Sequence, residues 1–497
     1  MNRCFLILID GLRRDLAEAE LAAGSLPNFA AMAARGGRGC AITAFPSTTS
    51  VAYLPFLTGC MPGRCDIPSI RWMDRQRYCG RWWRDRAAVR SYCGYQAPLL
   101  DHDLAPDIRT IFELVPQSLG LFTPVARGLP PERDPTRLAR RLWGTLAHYA
   151  QWHQPSDDTV ARHLLQAASG LARFVFAQFP AVDGYTHQRG PGAPAVRRAL
   201  RRVDGVLGSL LAQLRAQGEL ERSLILVVSD HGSSVVHTHL DLAAWFADRG
   251  VPTLAHPVIW SGAPRAAVMV AGNGSAMVYA RPEERRDRRW SLGRLGQPEA
   301  FGGREDLVEA LRREPAVGLL SAEEEDGSVR VASAEGEAEL RRLGPGIAYR
   351  PLTGDPLGIG RPWVATERAW LEATWDADYP DAAYQLLDQF RSSRTGDLIV
   401  VARPGYDLRG RWEIPEHRAG HGSLTREHMQ TPVWSSEPLP PGPLRTVDLF
   451  PAVLGWLGVE LPAVVDGAAV WTPSPRYPER RMGAVTATEP GLSERVR

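Results

Sequence analysis

Short runs of consecutive apolar residues alternate with longer stretches of helical spacing along the first half of the chain, the pattern of a parallel sheet flanked by helices. Residues 3–9 (RCFLILI), apolar from Cys4 onwards, predict a buried strand, and the run ends at Asp10. Leu26 to Arg35 has helical spacing with a proline in its first turn. Gly39 to Thr43 predicts a second strand, 136–151 and 157–170 two helices, and Phe174 to Val182 a strand ending at Asp183. A long amphipathic helix with arginine-rich faces follows at 193–217, then the apolar run Leu224 to Ser229, which stops at Asp230. Three predicted strands therefore end at an aspartate. In an α/β sheet ligands bind beyond the carboxyl ends of the strands, so Asp10, Asp183 and Asp230 point to one edge of the sheet.

From about 265 to 395 the texture changes. Short strands at Ala267–Val270, Ala276–Ala280, Gly318–Ser321 and Val329–Ala332 mix with short helices and an acidic stretch, Glu323–Asp326, that reads as a solvated turn. Asp397 to Ala402 resume the core pattern, and Thr446 to Leu457 predict an apolar helix. The expected fold class is α/β: a mostly parallel central sheet with helices on both faces, plus an inserted α+β cap. The expected organisation is a core of 1–264 and 395–475, a cap at 265–394, and a flexible Pro-, Glu- and Arg-rich tail at 476–497. Within the core, an irregular Arg- and Trp-rich excursion occupies about 62–135; loops that long are more often functional than decorative.

With 497 residues, 44% of them hydrophobic, the chain has ample apolar surface for a packed core and is not disordered overall. Its 58 basic residues, all arginine, nearly balance 56 acidic ones, which leaves no electrostatic footprint for a nucleic acid polymer or an anionic membrane. No window approaches the ~18 apolar residues of a membrane span. The run Phe5–Ile9 is too short for a signal peptide, so a cytoplasmic location is expected. The six cysteines all fall in the first hundred residues without paired CxxC spacing, which favours free thiols over disulfides or a structural zinc site.

Five segments carry candidate chemistry: LIDGLR with Asp10, AFPSTTSVAYLPFLTG at 44–59, VDGYTHQRGPG with Asp183 and His187, VVSDHGSS with Asp230 and His231, and AGHGSLTREHMQTP with His421. Any one histidine in a glycine-rich loop is more often a surface or structurally bonded side chain than a ligand. The set changes that balance. Three carboxylates at neighbouring strand ends repel one another unless a cation lies among them. Histidines beside them complete mixed nitrogen and oxygen sets that suit zinc better than calcium or magnesium. Two such sets about 4 Å apart would make a two-metal site for in-line displacement at phosphorus.

In this order the five segments resemble the alkaline phosphatase superfamily, specifically its type I phosphodiesterase/nucleotide pyrophosphatase branch, over residues 1–62, 172–260 and about 395–470, the closing TVDLFPAVLGWLGVELPAVVDG included. The resemblance implies that Asp10, Asp230 and His231 bind the metal that holds the nucleophile, and that Asp183, His187 and His421 bind a second. The ions it implies are zinc, with manganese or iron as alternatives. In the superfamily the nucleophile lies nine residues before the threonine of a Thr-Gly pair; that pair is Thr58–Gly59 here, which selects Thr49 among the hydroxyls Ser47, Thr48, Thr49 and Ser50. Thr49 would also be a metal ligand, at the start of a helix whose free N–H groups favour phosphate charge. Thr48 reads as a helix cap.

One departure stands out. The branch has an asparagine three residues after the nucleophile, where this chain has Ala52. A replacement donor is sought in the excursion among Arg71, Arg84 and Arg90, with Arg71 first, and with Trp72 as a candidate wall for the leaving group. His237 and His239 are expected outside the ligand sets. The leading expectation is a two-zinc hydrolase that cleaves a small-molecule phosphodiester or pyrophosphate through a covalent phosphothreonine. Alternatives on the same scaffold are a phosphomonoesterase, a phosphonate hydrolase or phosphotransferase, and a catalytically inactive ligand-binding relative. A sulfatase is disfavoured, because those enzymes carry a Cys or Ser at the nucleophile position.

Overall fold

The first apolar run folds as the strand Arg3–Ile9, buried at all seven residues and set inside a seven-stranded sheet. It pairs in parallel with Phe174–Phe179 on one side and Ser223–Val228 on the other. Ser118–Leu121 adds a further parallel strand at one edge. Towards the other edge Gln430–Ser435 runs antiparallel to both Ser223–Val228 and Gly37–Ile42, and Gly37–Ile42 pairs in parallel with the edge strand Leu444–Arg445. Helices cover both faces. Val160, Leu164, Leu200 and Leu207 of Gln154–Ala168 and Pro194–Ala216 pack on one face, and Leu449–Leu457 packs with Leu54 and Leu57 on the other. In a computed structural model the described residues are 1–78, 86–256, 263–410 and 416–473; the expected tail at 476–497 and Arg84 lie outside them.

A second sheet of nine strands follows. Leu398–Ala402, expected to rejoin the central sheet, instead lies inside this one, between Val317–Glu323 and Ser275–Ala280. All five of its residues are buried, and a fully buried run carries no alternation to say which sheet receives it. Thr253–Ala255 also joins this sheet, so the inserted layer is wider than 265–394 at both ends. A second correction concerns Asp183. The strand ends at Phe179, and Pro180, which cannot extend a ladder, caps the helix Ala181–Arg189; Asp183 sits in the first turn of that helix, not at a strand end.

The two layers are tied by a buried ion pair. Arg445, on the two-residue edge strand Leu444–Arg445, donates from Nε and Nη2 to the two carboxylate oxygens of Asp381, each at 2.7 Å. Asp381 precedes the helix Ala382–Gln389, which packs its Leu386 against the second sheet. Both side chains are nearly excluded from water, at 9% and 0% exposure. Removing one partner leaves an uncompensated buried charge, so Asp381→Ala should lower the unfolding free energy by about 3–5 kcal/mol. Urea denaturation checks this, and the double variant Asp381→Leu/Arg445→Met should recover much of the loss.

Candidate metal centre and active site

The parallel register sets Ile9 beside Phe179 and Leu8 beside Val228, so the strands leading to Asp10 and Asp230 end at the same level. Asp183 and His187 are four residues apart on one helix and share a face, with His187 Nε2 3.2 Å from Asp183 Oδ2. His421 follows the short strand Ala419–Gly420, and its ring stacks on His231 at 3.9 Å between centroids and lies 5.0 Å from His187. The result is two triads, Asp10/Asp230/His231 and Asp183/His187/His421, within each of which the ligand atoms lie within 4.8 Å of one another.

The local chemistry of these triads fits divalent ions. Each histidine directs Nδ1 at a backbone carbonyl: His231 at Gly232 (3.0 Å), His187 at Ala419 (2.8 Å) and His421 at Ser47 (3.1 Å). A carbonyl can only accept, so Nδ1 carries the proton and the Nε2 lone pair is left for a metal. Asp183 Oδ1 and Asp230 Oδ2 are buried without a hydrogen-bond partner among the described residues. Burial, with the charges of Asp230 and Asp183, raises Asp10 far above the usual carboxylate range. Burial pushes Asp230 up to about 8, with Asp183 adding to the effect. Burial would raise Asp183 as well, but His187 and then His421 bring it below its ordinary value. Burial and the neighbouring His231 lower His421, keeping its imidazole neutral. Cations among these groups would relieve a strain the protein cannot relieve alone.

Two glycines make the approach possible. A Cβ on Gly11, which has φ of +66°, would stand 2.6 Å from Asp183 Oδ1. One on Gly272, with φ of +54°, would stand 2.6 Å from His421 Nδ1. Gly272 sits in the turn between Ala266–Ala271 and Ser275–Ala280, so the inserted sheet buttresses the centre directly.

Among the four consecutive hydroxyls, Ser47, Thr48 and Ser50 are buried and Thr49 is half-buried. Thr49 Oγ1 lies 3.2 Å from Asp10 Oδ1 and 3.1 Å from His231 Nε2. Ser47 Oγ donates to the Ser423 carbonyl, and Thr48 Oγ1 has no partner among the described residues, so it does not cap a helix. The following helix, Leu54–Thr58, starts five residues after Thr49, with turns between; the expected helix N-terminus at Thr49 is absent. Sequence reasoning missed Gln178 and Tyr53, which hold Asp10 Oδ2 from Nε2 at 2.6 Å and from the hydroxyl at 3.2 Å. A lone amide in the buried strand FVFAQF was the available signal, because a buried polar group needs a partner.

Thr49, Asp10, Asp183, His187 and His421 open into a cavity of about 810 Å³. Arg71 lines it, its Nη1 donating to the Val270 carbonyl at 3.3 Å. Trp72 does not line it. Next to Arg71 on the strand Arg71–Met73, it points the opposite way into the core, 1% exposed, and donates from Nε1 to the Tyr92 hydroxyl at 3.1 Å. Strand alternation thus separates the two residues expected to act together. His239 lies apart from the triads and contacts Asp407 and Glu416.

A family model described as type I phosphodiesterase / nucleotide pyrophosphatase matches residues 4–424. A comparison with curated protein sequences returns no match. Among solved structures, murine ectonucleotide pyrophosphatase / phosphodiesterase 5, an inactive variant in complex with AMP, superposes with a TM-score of 0.55 at 12% identity, covering 94% of this chain and 98% of that one. The human ectonucleotide pyrophosphatase / phosphodiesterase 5 gives 0.54 at 13% identity, over 94% and 97% of the two chains. Phosphonoacetate hydrolase from Sinorhizobium meliloti, in complex with phosphonoacetate, gives 0.54 at 14% identity, over 92% and 96%. These likenesses establish an alkaline phosphatase-like fold. No helix among the described residues is long and apolar enough to cross a membrane.

A carboxyl whose pKa is higher in the fold than in the unfolded chain favours the fold while protonated, and that contribution fades as pH rises through the folded value. For Asp230 the window runs from 3.8 to about 8. Chelator-treated protein should therefore lose thermal stability between pH 5 and pH 8, and added zinc should raise the melting temperature most at the upper end. Scanning calorimetry with and without zinc checks this; equal zinc effects at both ends would contradict it.

Proposed function

Since the chain belongs to the type I phosphodiesterase/nucleotide pyrophosphatase family and is a phosphoryl-transfer hydrolase, we propose that Thr49 is its nucleophile and that the two triads hold two divalent ions, zinc first among them. The observation that carries this reading is Thr49 Oγ1 itself, the half-buried hydroxyl of its segment, within 3.2 Å of a ligand atom from each of Asp10 and His231. Bound at the triads, two ions would lower the pKa of a hydroxyl and of a water and neutralise charge on the phosphoryl oxygens.

The chain's own residues supply the rest. Gln178 and Tyr53 fix the Asp10 carboxylate, and Asp10 and His231 orient Thr49 Oγ1 towards the cavity. Attack forms the Oγ1–P bond as the bond from phosphorus to the leaving oxygen breaks, giving a phosphothreonine. Water then attacks phosphorus from the side of Asp183, His187 and His421, and Oγ1 departs to regenerate the threonine. With Ala52 unable to donate, Arg71 supplies hydrogen bonds to a phosphoryl oxygen from inside the cavity. The substrate on this reading is a small phosphodiester or pyrophosphate. A guanidinium equally suits a carboxylate, which favours phosphonate hydrolysis as a second reading, in line with the shared fold of phosphonoacetate hydrolase.

Thr49→Ala should abolish turnover of bis-p-nitrophenyl phosphate with two metal equivalents still bound, whereas Thr48→Ala should retain most activity. A dead Thr48 variant would reassign the nucleophile. Arg71→Ala should lower kcat by about 100-fold, the usual scale for one lost donor to a developing oxyanion, with metal content unchanged. Wild-type kinetics in that variant would remove Arg71 from the site. Phosphonoacetate, assayed alongside, separates the two substrate readings.

A further inference from the structure

The cavity has two unlike sides. Near His187 its wall is polar, with His153 and Gln188. Away from there it runs along the strand Ala266–Ala271, whose alternate residues Val268 and Val270 line the cavity and lead to Gly272, against His421 and Thr48. Those steps cover ~13 Å of strand. The parallel register sets Ala255 of Thr253–Ala255 beside Val268. The helix Leu242–Asp248 presents Ala244 and Ala247 to the same cavity, while its Trp245 and Phe246 are buried in the core. Large side chains thus face away and small apolar ones face in, leaving a trough that starts at the metal centre.

None of these six side chains can donate or accept a hydrogen bond. The nearby Thr253 hydroxyl is already given to the Val251 carbonyl at 2.8 Å. His256, next to Ala255, is pushed down to about 4 by burial and by Arg71, and so stays neutral at pH 7. Asp241 closes the start of the helix by accepting from the Ala244 N–H. Arg71 borders the trough at Val270, where a phosphoryl group would enter. Polar groups meet this wall only at its margins, where Asp241, Thr253, His256 and Asn273 line the cavity, so a sugar or a nucleobase laid along its apolar middle would lose hydrogen bonds to water there, whereas a hydrocarbon would lose nothing.

The geometry points to a subsite for an unbranched alkyl or simple aryl ester group of the substrate, lying along Gly272, Val270, Val268 and Ala255 under Ala244 and Ala247. This deepens the phosphoryl-transfer reading above and rests on it. One organic group per probe avoids ambiguity of orientation, so the test is calorimetric binding of inorganic phosphate, ethyl, butyl and hexyl phosphate, and AMP to the zinc-loaded full chain. Affinity should rise about three- to fourfold per methylene from ethyl to hexyl, and AMP should bind no tighter than ethyl phosphate. In Ala247→Phe the hexyl-to-ethyl ratio should collapse towards one; Ala244→Asp should do the same, should the first variant fold poorly. A flat series in the wild type, with phosphate itself bound, overturns the apolar subsite and leaves the hydrolase reading intact. An unchanged ratio in a folded variant overturns its placement. Failure of every phosphate probe to bind, with zinc present, overturns the hydrolase reading instead.

Discussion

Asp10, Asp183 and Asp230 are brought together where water is nearly absent, and charge repulsion among them governs the rest of the structure. Burial disfavours the charged form of all three; the fields of Asp230 and Asp183 add to this at Asp10 and that of Asp183 at Asp230, while His187 and His421 hold Asp183 in its charged form. The fold does not avoid the conflict by spacing them out. It gathers them beyond the carboxyl ends of the parallel strands, with Asp183 on the helix Ala181–Arg189, surrounds them with histidines, and leaves two carboxylate oxygens without a hydrogen-bond partner among the described residues. Protonation relieves such a cluster at low pH and a cation would relieve it at neutral pH, which is what makes the two triads a candidate metal centre.

The inserted sheet takes part in that arrangement. Its Gly272 turn meets His421 and Thr48, its strand Leu398–Ala402 leads back towards the His421 loop, and its helix Ala382–Gln389 is anchored through Asp381 to Arg445 of the central sheet. Gln385 of that helix accepts from the Phe45 N–H, and Gln389 donates to the Phe45 carbonyl, four residues from Thr49. The segment that carries Thr49 is therefore gripped from both layers. Thr49 can stand half-exposed yet fixed because its neighbours on both sides are buried.

The central sheet and most of the site were legible because each rests on a local signal. Apolar runs ending in aspartate marked Asp10 and Asp230, and the family resemblance grouped Asp183 with His187. What failed needed information from elsewhere in the chain. Leu398–Ala402 is apolar on both faces and pairs equally well with either sheet until its neighbours are known. Pro180 converted the predicted strand end at Asp183 into a helix start. Trp72 and Arg71 looked like one recognition element in sequence, but adjacent residues of a strand face opposite ways. Gln178 acts through a partner 168 positions away, which no window along the chain contains.

The ligands of the centre arrive from Asp10 near one end of the chain and from His421 near the other, with the buttressing turn at Gly272 between them. Such long-range closure comes late in folding, after the entropy of many intervening residues has been surrendered. Five of the six residues of the two triads, Asp10, Asp183, His187, Asp230 and His231, lie well before His421 in the chain, so the second triad closes only once His421 has been made. The candidate centre is therefore completed as one late event, with the arrival of His421.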